Sequence, residues 1–128
     1  MSLISKTITL KVPSKIIYVA LKDKRLEKLF PEFFVGIRRR IAIDNENREI
    51  TFRTTTQDNQ IEVSETFRLK VSGYNNTQVD YITETNIEGE NVVVESIIQT
   101  HIANILYSLL MLETGYINGL IEKKDYDR

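Results

Sequence analysis

Four residues able to do chemistry fall where the chain's alternation turns them inward: Arg39, Glu65, Tyr81 and His101. Glu65 is the sharpest case. It lies in SETFRLK, residues 64 to 70, and shares its parity with Ile61, Val63, Phe67, Leu69 and Val71. Successive side chains of a strand point to opposite faces, so this parity puts a carboxylate on the apolar face. A lone buried carboxylate is costly, whereas a hydrogen-bonded ion pair or a wet cavity tolerates one. Arg39 reads onto the same face and is the expected partner. The alternative is a bulge or a strand end that turns either side chain to water, because a slip of one residue reverses every face.

The chemistry such a group could do is recognition. A carboxylate accepts from hydroxyls or amines, a guanidinium donates to oxygens, and Tyr81 and His101 add a donor or acceptor each. His101 is the only histidine. It shares a helical stripe with Val94, Ile98, Ile105 and Leu112, where it reads as a cavity-lining donor or general base. The plainer alternative is a satisfied or rim-exposed histidine, since a lone one lacks partners for metal or triad chemistry. Phe52, Thr54, Phe67, Thr83, Ile105, Ser108 and Leu112 complete the expected ligand-binding wall. Ser108, Gly115 and Gly119 form a strip of small residues that leaves room for a ligand or for closely approaching backbone.

These residues need a sheet and a helix to hold them. Residues 3 to 12 alternate as a half-buried strand that Pro13 ends. Two short helices follow, in PSKIIYVALK and in KRLEKLF, the second expected to be capped by Asp23 and ended by Pro31. Four strand-like segments come next, at about 34 to 43, 48 to 56, 60 to 72 and 77 to 88. Their connectors DNEN, QDNQ, GYNN and EGEN are short and turn-forming, which implies antiparallel hairpins. Parity places Ile4, Lys6, Ile8 and Leu10 inward, with Val35, Ile37, Ile41 and Ile43, Ile50 and Thr56, Val79, Thr85 and Ile87. From about Asn91 to Lys123 the period becomes helical, with Ile102, Leu109, Tyr116 and Leu120 beside the main stripe. A twisted antiparallel sheet with one apolar face must cover it, and this helix is the only element large enough.

Strand, two short helices, antiparallel meander and one long C-terminal helix together resemble the START-like, or helix-grip, superfamily. The local likeness is carried by VPSKIIYVALKDKRLEKLFPEF, with Ile17 and Tyr18 at an apolar-aromatic pair, Leu21 and Asp23 at a Leu-x-Asp, and Pro31 at the end. Tyr18 stands where Trp is more usual. The chain is most similar to small archaeal families of unknown function within that superfamily. The resemblance implies an α+β fold of about five or six strands wrapped around the C-terminal helix, in one domain spanning residues 1–128. It also implies small ligands held between sheet and helix. Catalytic residues vary between branches, so none is carried over.

Composition narrows the partners. With 41% hydrophobic and 27% charged residues and a net charge of -1, the chain is globular and has no basic field for nucleic acid or anionic membrane. The absence of cysteine excludes disulfides and thiolate chemistry. The N-terminus lacks a signal-peptide layout, and no uninterrupted apolar run reaches the ~18 residues of a membrane span. A cytoplasmic protein is expected, with a weak compositional hint of a thermophile. Arg38 and Arg40 of the RRR run read outward as edge charge. The helix is also apolar on its far side, at Leu106, Leu110, Ile117 and Ile121 with Tyr107 and Met111 nearby. That face is expected to form a homodimer, or else to be covered by the short helices or the C-terminal tail. No phosphate loop, zinc or nucleophile-elbow motif occurs, and no cofactor or metal is expected. The leading expectation is a binding protein for an amphipathic or polyhydroxylated small molecule. The alternatives are a cyclase- or lyase-like enzyme using Glu65 or His101 as acid/base, and a structural interaction module with a filled core.

Overall fold

The N-terminal alternation forms β1 (Ser2–Leu10). Pro13, which has no N–H to give a strand, stands before α1 (Ser14–Lys22) and accepts the Ile16 and Ile17 N–H groups through its carbonyl. A computed structural model describes residues 2–56, 61–85 and 92–126. Within these, α2 (Arg25–Leu29) and a 3-10 turn (Pro31–Phe33) lead into β2 (Ile37–Asn45), β3 (Glu49–Thr56), β4 (Glu62–Gly73) and β5 (Asn76–Thr85). The long α3 (Val92–Ile117) and a second 3-10 turn (Lys123–Tyr126) close the chain. The connectors at 57–60 and 88–91, and Ile87, lie outside the described residues.

All strand pairs are antiparallel in one five-stranded sheet, ordered β1-β5-β4-β3-β2. This is the expected α+β helix-grip arrangement. One face of the sheet carries Leu10, Ile50, Phe52, Val63, Phe67, Leu69, Val79 and Tyr81, all buried. Ile98, Ile102, Ile105, Leu109 and Leu112 of α3 join them in one core, to which α1 adds Ile16, Ile17 and Leu21. At about 1.5 Å per residue, the 26 residues of α3 reach about 39 Å, enough to cross the sheet. The helix is also long and apolar enough, by length and composition, to cross a membrane. No uninterrupted apolar run marks it, because His101 and the polar residues around it break the sequence while its mean hydropathy stays high. Here α3 serves as the core helix.

Several expectations need correction. Asp23 does not cap α2. Its backbone N–H still belongs to α1, donating to the Val19 carbonyl, and Lys24, at φ 54, takes the cap position with no side-chain cap bond. Val35 is exposed in the approach to β2, where Gly36 turns the chain at φ 78. Ile43 is exposed as well, because the register shifts between Ile41 and Ile43 and reverses the faces beyond it. Lys6 lies opposite Tyr81, as its parity requires, but β1 is an edge strand and Lys6 is solvated there. Leu120 lies past the helix end and is 80% exposed.

Candidate functional site

Glu65 sits in mid-strand, opposite Phe52 of β3 and Thr83 of β5, and is fully buried. Because β3, β4 and β5 keep a regular register here, the inward parity survives. The carboxylate is held by side chains from three elements. Thr54 donates its hydroxyl to Oε1, Tyr81 donates its phenol to Oε2, and His101 Nε2 of α3 lies 2.9 Å from Oε1. The Arg39 Nε of β2 stands 3.8 Å from the same Oε1.

Electrostatics follow from this enclosure. Burial pushes the Glu65 pKa up, but the hydrogen bond and charge of His101, the charge of Arg39 and the Thr54 hydroxyl outweigh it and hold the carboxyl at about 2. Tyr81 moves the other way. Burial and then the neighbouring Glu65 charge raise it well above the ordinary phenol value, so it stays a proton donor to the carboxylate.

Arg39 is the second anchor. Its side chain is 2% exposed, its Nη1 donates to Glu27 Oε1 of α2 at 3.0 Å, and its guanidinium carbon lies 4.1 Å from the Phe52 ring centroid. Lys24 donates to the Arg39 backbone carbonyl. Two Arg39 donors, Nε and Nη2, are buried without a hydrogen-bond partner among the described residues.

His101 stands at the rim of this cluster. It borders a pocket of about 30 Å³ between the sheet and the first turns of α3, lined by Ile37, Thr54, Thr55, Thr56, Ile61, Val63, Ile97 and Ile98. Of the expected wall, only Thr54 and His101 meet this space. Phe52, Phe67 and Tyr81 instead pack as an aromatic row, with neighbouring centroids 5.9 and 4.9 Å apart. Ile105 and Leu112 are core residues, Thr83 is buried opposite Glu65, and the Ser108 hydroxyl donates to its own helix at the Ile105 carbonyl. The small-residue strip is not empty either. A Cβ on Gly115 would come within 2.9 Å of the Ile121 side chain, so the C-terminal tail fills that place.

The sequence reading missed Glu27 and Lys24, which reach Arg39 from the α2 region, and the pocket residues Thr55 and Ile97. No periodicity marks Glu27, since its importance arises only where α2 lands. Among the described residues, no three His, Asp or Glu side chains group to hold a metal ion. On the far side of α3, Tyr107 meets Phe33 edge-on at 5.5 Å, while Leu110, Met111 and Ile117 stay exposed; Ile121 lies past the helix end and packs on Gly115.

No family model and no curated protein sequence matches the chain. Solved structures do match in fold. An Hsp90 activator from Plasmodium falciparum aligns with a TM-score of 0.68 at 15% identity, over 88% of this chain and 96% of that one. The ZhuI aromatase/cyclase from Streptomyces aligns at 0.64 and 11% identity, over 91% and 95%. A START superfamily protein from Mycobacterium smegmatis aligns at 0.59 and 12% identity, over 89% and 98%. The fold is therefore the helix grip, an antiparallel sheet against a long C-terminal helix.

Proposed function

We propose that the protein binds a small, mostly apolar molecule bearing a polar group, between the sheet and the N-terminal half of α3. The observation that carries this reading is Glu65, a fully buried carboxylate gathered by Thr54, Tyr81, His101 and Arg39 beside a pocket. Such a cluster is a poor way to stabilise a core, because well-packed apolar residues of similar volume often do as well or better. Its value lies in a fixed polar surface next to an apolar wall, which is how small-molecule sites orient their guests.

The geometry revises how the ligand would be met. Both oxygens of Glu65 are already engaged by protein donors. The Glu65–Arg39 pair therefore organises the site, and His101 presents it to the guest. The small pocket favours a compact guest, or the edge of a larger flat one, over a polyhydroxylated ligand. Native mass spectrometry and thermal shifts with small cyclic ketones, phenols and nitroalkanes test this reading. Binding is expected, weakened by Ile98→Trp, which fills the space. Thermal shifts unaffected by every compound would overturn the reading.

A second reading is favoured by one observation. A pocket of about 30 Å³ is far below the ~300 to 1,000 Å³ of ordinary ligand sites. The alternative is thus an interaction module with a nearly filled core, with Leu110, Met111 and Ile117 as its docking face. A homodimer through that face is our proposal for its occupant. Light scattering would then give twice the chain mass, and Leu110→Asp would give a folded monomer.

A further inference from the structure

We infer that His101 is a general base, oriented by Glu65, that removes an acidic C–H proton from a small guest in the neighbouring pocket. The inference rests on the binding reading and adds a reaction to it. Three observations converge. His101 Nε2 lies 2.9 Å from the Glu65 carboxylate, which is fully buried and cannot turn away. The opposite ring nitrogen, Nδ1, has no hydrogen-bond partner among the described residues. His101 borders the pocket, whose other lining residues are Ile, Val and Thr.

The chemistry follows from this arrangement. A carboxylate on one ring nitrogen fixes the tautomer, so that Nε2 carries the proton and Nδ1 presents a lone pair. When Nδ1 takes a proton, the resulting imidazolium lies against an anion that is already in place and needs no solvent to rearrange. Tyr81 and Thr54 hold that anion from its other sides, and Arg39, itself paired with Glu27, faces it from β2. Among the described residues, these are the charged and titratable groups around the dyad. The apolar Ile and Val wall suits a neutral, mostly apolar carbon acid, meaning a molecule with a C–H next to a carbonyl or nitro group. Thr56 borders the same pocket, its hydroxyl accepting the Ile61 N–H.

In the step, the C–H bond breaks and its proton bonds to Nδ1. The electron pair moves into the guest, forming a C=C or C=N bond and leaving negative charge on oxygen. The imidazolium then returns a proton to the same or another carbon, or exchanges it with water first. No oxidant, reductant or second substrate is required. His101 is the catalytic residue, and Glu65, which acts through it, is a positioning residue.

Nitroethane is a suitable probe, being small, uncharged and acidic at carbon. In deuterium oxide, proton NMR reads loss of its methylene signal, while thermal shift on the same samples reads binding. Catalysed exchange is expected to rise with pH to a plateau, and His101→Asn should lower it about a hundredfold or more. Glu65→Gln should lower the exchange rate at saturation about tenfold or more with little change in the concentration for half-saturation. Because the chain has one histidine, nitrogen-edited NMR reports its tautomer without ambiguity, and Nε2–H is expected in the wild type. If Glu65→Gln lowers stability enough to unfold the protein, the His101→Asn rate and the wild-type tautomer decide alone. Binding with no exchange above buffer would overturn the inference and leave the binding reading intact. Exchange unaltered by His101→Asn, or a wild-type tautomer with the proton on Nδ1, would also overturn it. Absence of both binding and exchange would remove both readings.

Discussion

Two charge pairs lie near one another on β2, β3 and β4, on opposite faces of the sheet. On the outer face Arg53 and Glu62 meet at 3.2 Å, with side chains 56% and 52% exposed. On the inner face Arg39 and Glu65 stand further apart, at 3.8 Å, but are 2% and 0% exposed. Distance alone would rank the outer pair first. Surroundings reverse the ranking, because water screens the outer charges, whereas the inner carboxylate has exchanged its water for Thr54, Tyr81 and His101. A charge pair on a sheet therefore has to be judged by what replaces its water. The inner pair is costly to break and of small net value to stability.

The largest effect should come from removing the inner carboxylate. Glu65→Leu strands the Tyr81 and Thr54 hydroxyls and leaves Arg39 with Glu27 alone, and is expected to cost about 3 to 5 kcal/mol in denaturant unfolding. Adding Arg39→Met should recover much of that loss, since an apolar pair of similar volume needs no partners. A double variant as unstable as the single one would mean that the rest of the cluster, not the ion pair, sets the cost.

Acid should reproduce part of this loss without mutation. The folded Glu65 carboxyl is held at about 2, below its ordinary value of 4.5. A depressed carboxyl binds fewer protons in the folded state, so its contribution is fully present above the unfolded value and is lost as pH falls through the folded one. At roughly 1.4 kcal/mol per pH unit, the loss between about pH 5 and pH 2 is about 3 kcal/mol. Urea midpoints across that range read it. The Glu65→Leu variant should show a flatter acid limb than the wild type by this amount, and parallel limbs would place the acid sensitivity elsewhere.

Tyr81→Phe is expected to fall next, at about 1.5 to 3 kcal/mol, because it removes one neutral donor to a buried charge and keeps the ring against Phe67. A two-point titration of the carboxyl by NMR should show its pKa move up from about 2 in this variant.

The inner site was legible from sequence where the strands are regular. Glu65, Thr54 and Tyr81 were placed by parity alone because β3, β4 and β5 pair without interruption around Glu65, and Arg39 because β2 pairs regularly with β3 from Ile37 to Ile41. Parity failed where the backbone departs from a simple pleat. The shift after Ile41 turned Ile43 outward, and Gly36 kept Val35 out of β2 altogether. It also gives no information about contacts between elements of different period. Glu27 reaches Arg39 from a five-residue helix, and nothing in RLEKL distinguishes it from a solvated glutamate. Room is the least legible property of all. The strip of Ser108 and Gly115 suggested a space, but it is closed by a helix-internal hydrogen bond and by Ile121.

The smallest effect should come from the outer pair, and it tests the comparison most directly. Arg53 is opposite Ser64 and Glu62 is opposite Thr55, so the two side chains reach diagonally across the β3–β4 ladder over open sheet. Both must give up rotamer freedom to meet, and both keep much of their water. Arg40, directly opposite Arg53 on β2, adds a like charge that the pair must also offset. Arg53→Ala, Glu62→Ala and the double variant should each stay within about 1 kcal/mol of the wild type, with a coupling energy of a few tenths. Raising salt should shrink that coupling further while leaving the cost of Glu65→Leu almost unchanged, because counter-ions reach only the outer face. A coupling on the outer face as large as the one inside, or a Glu65→Leu cost that falls with salt, would mean that solvent reaches both pairs alike, and the distinction between an exposed pair and an enclosed site would be lost.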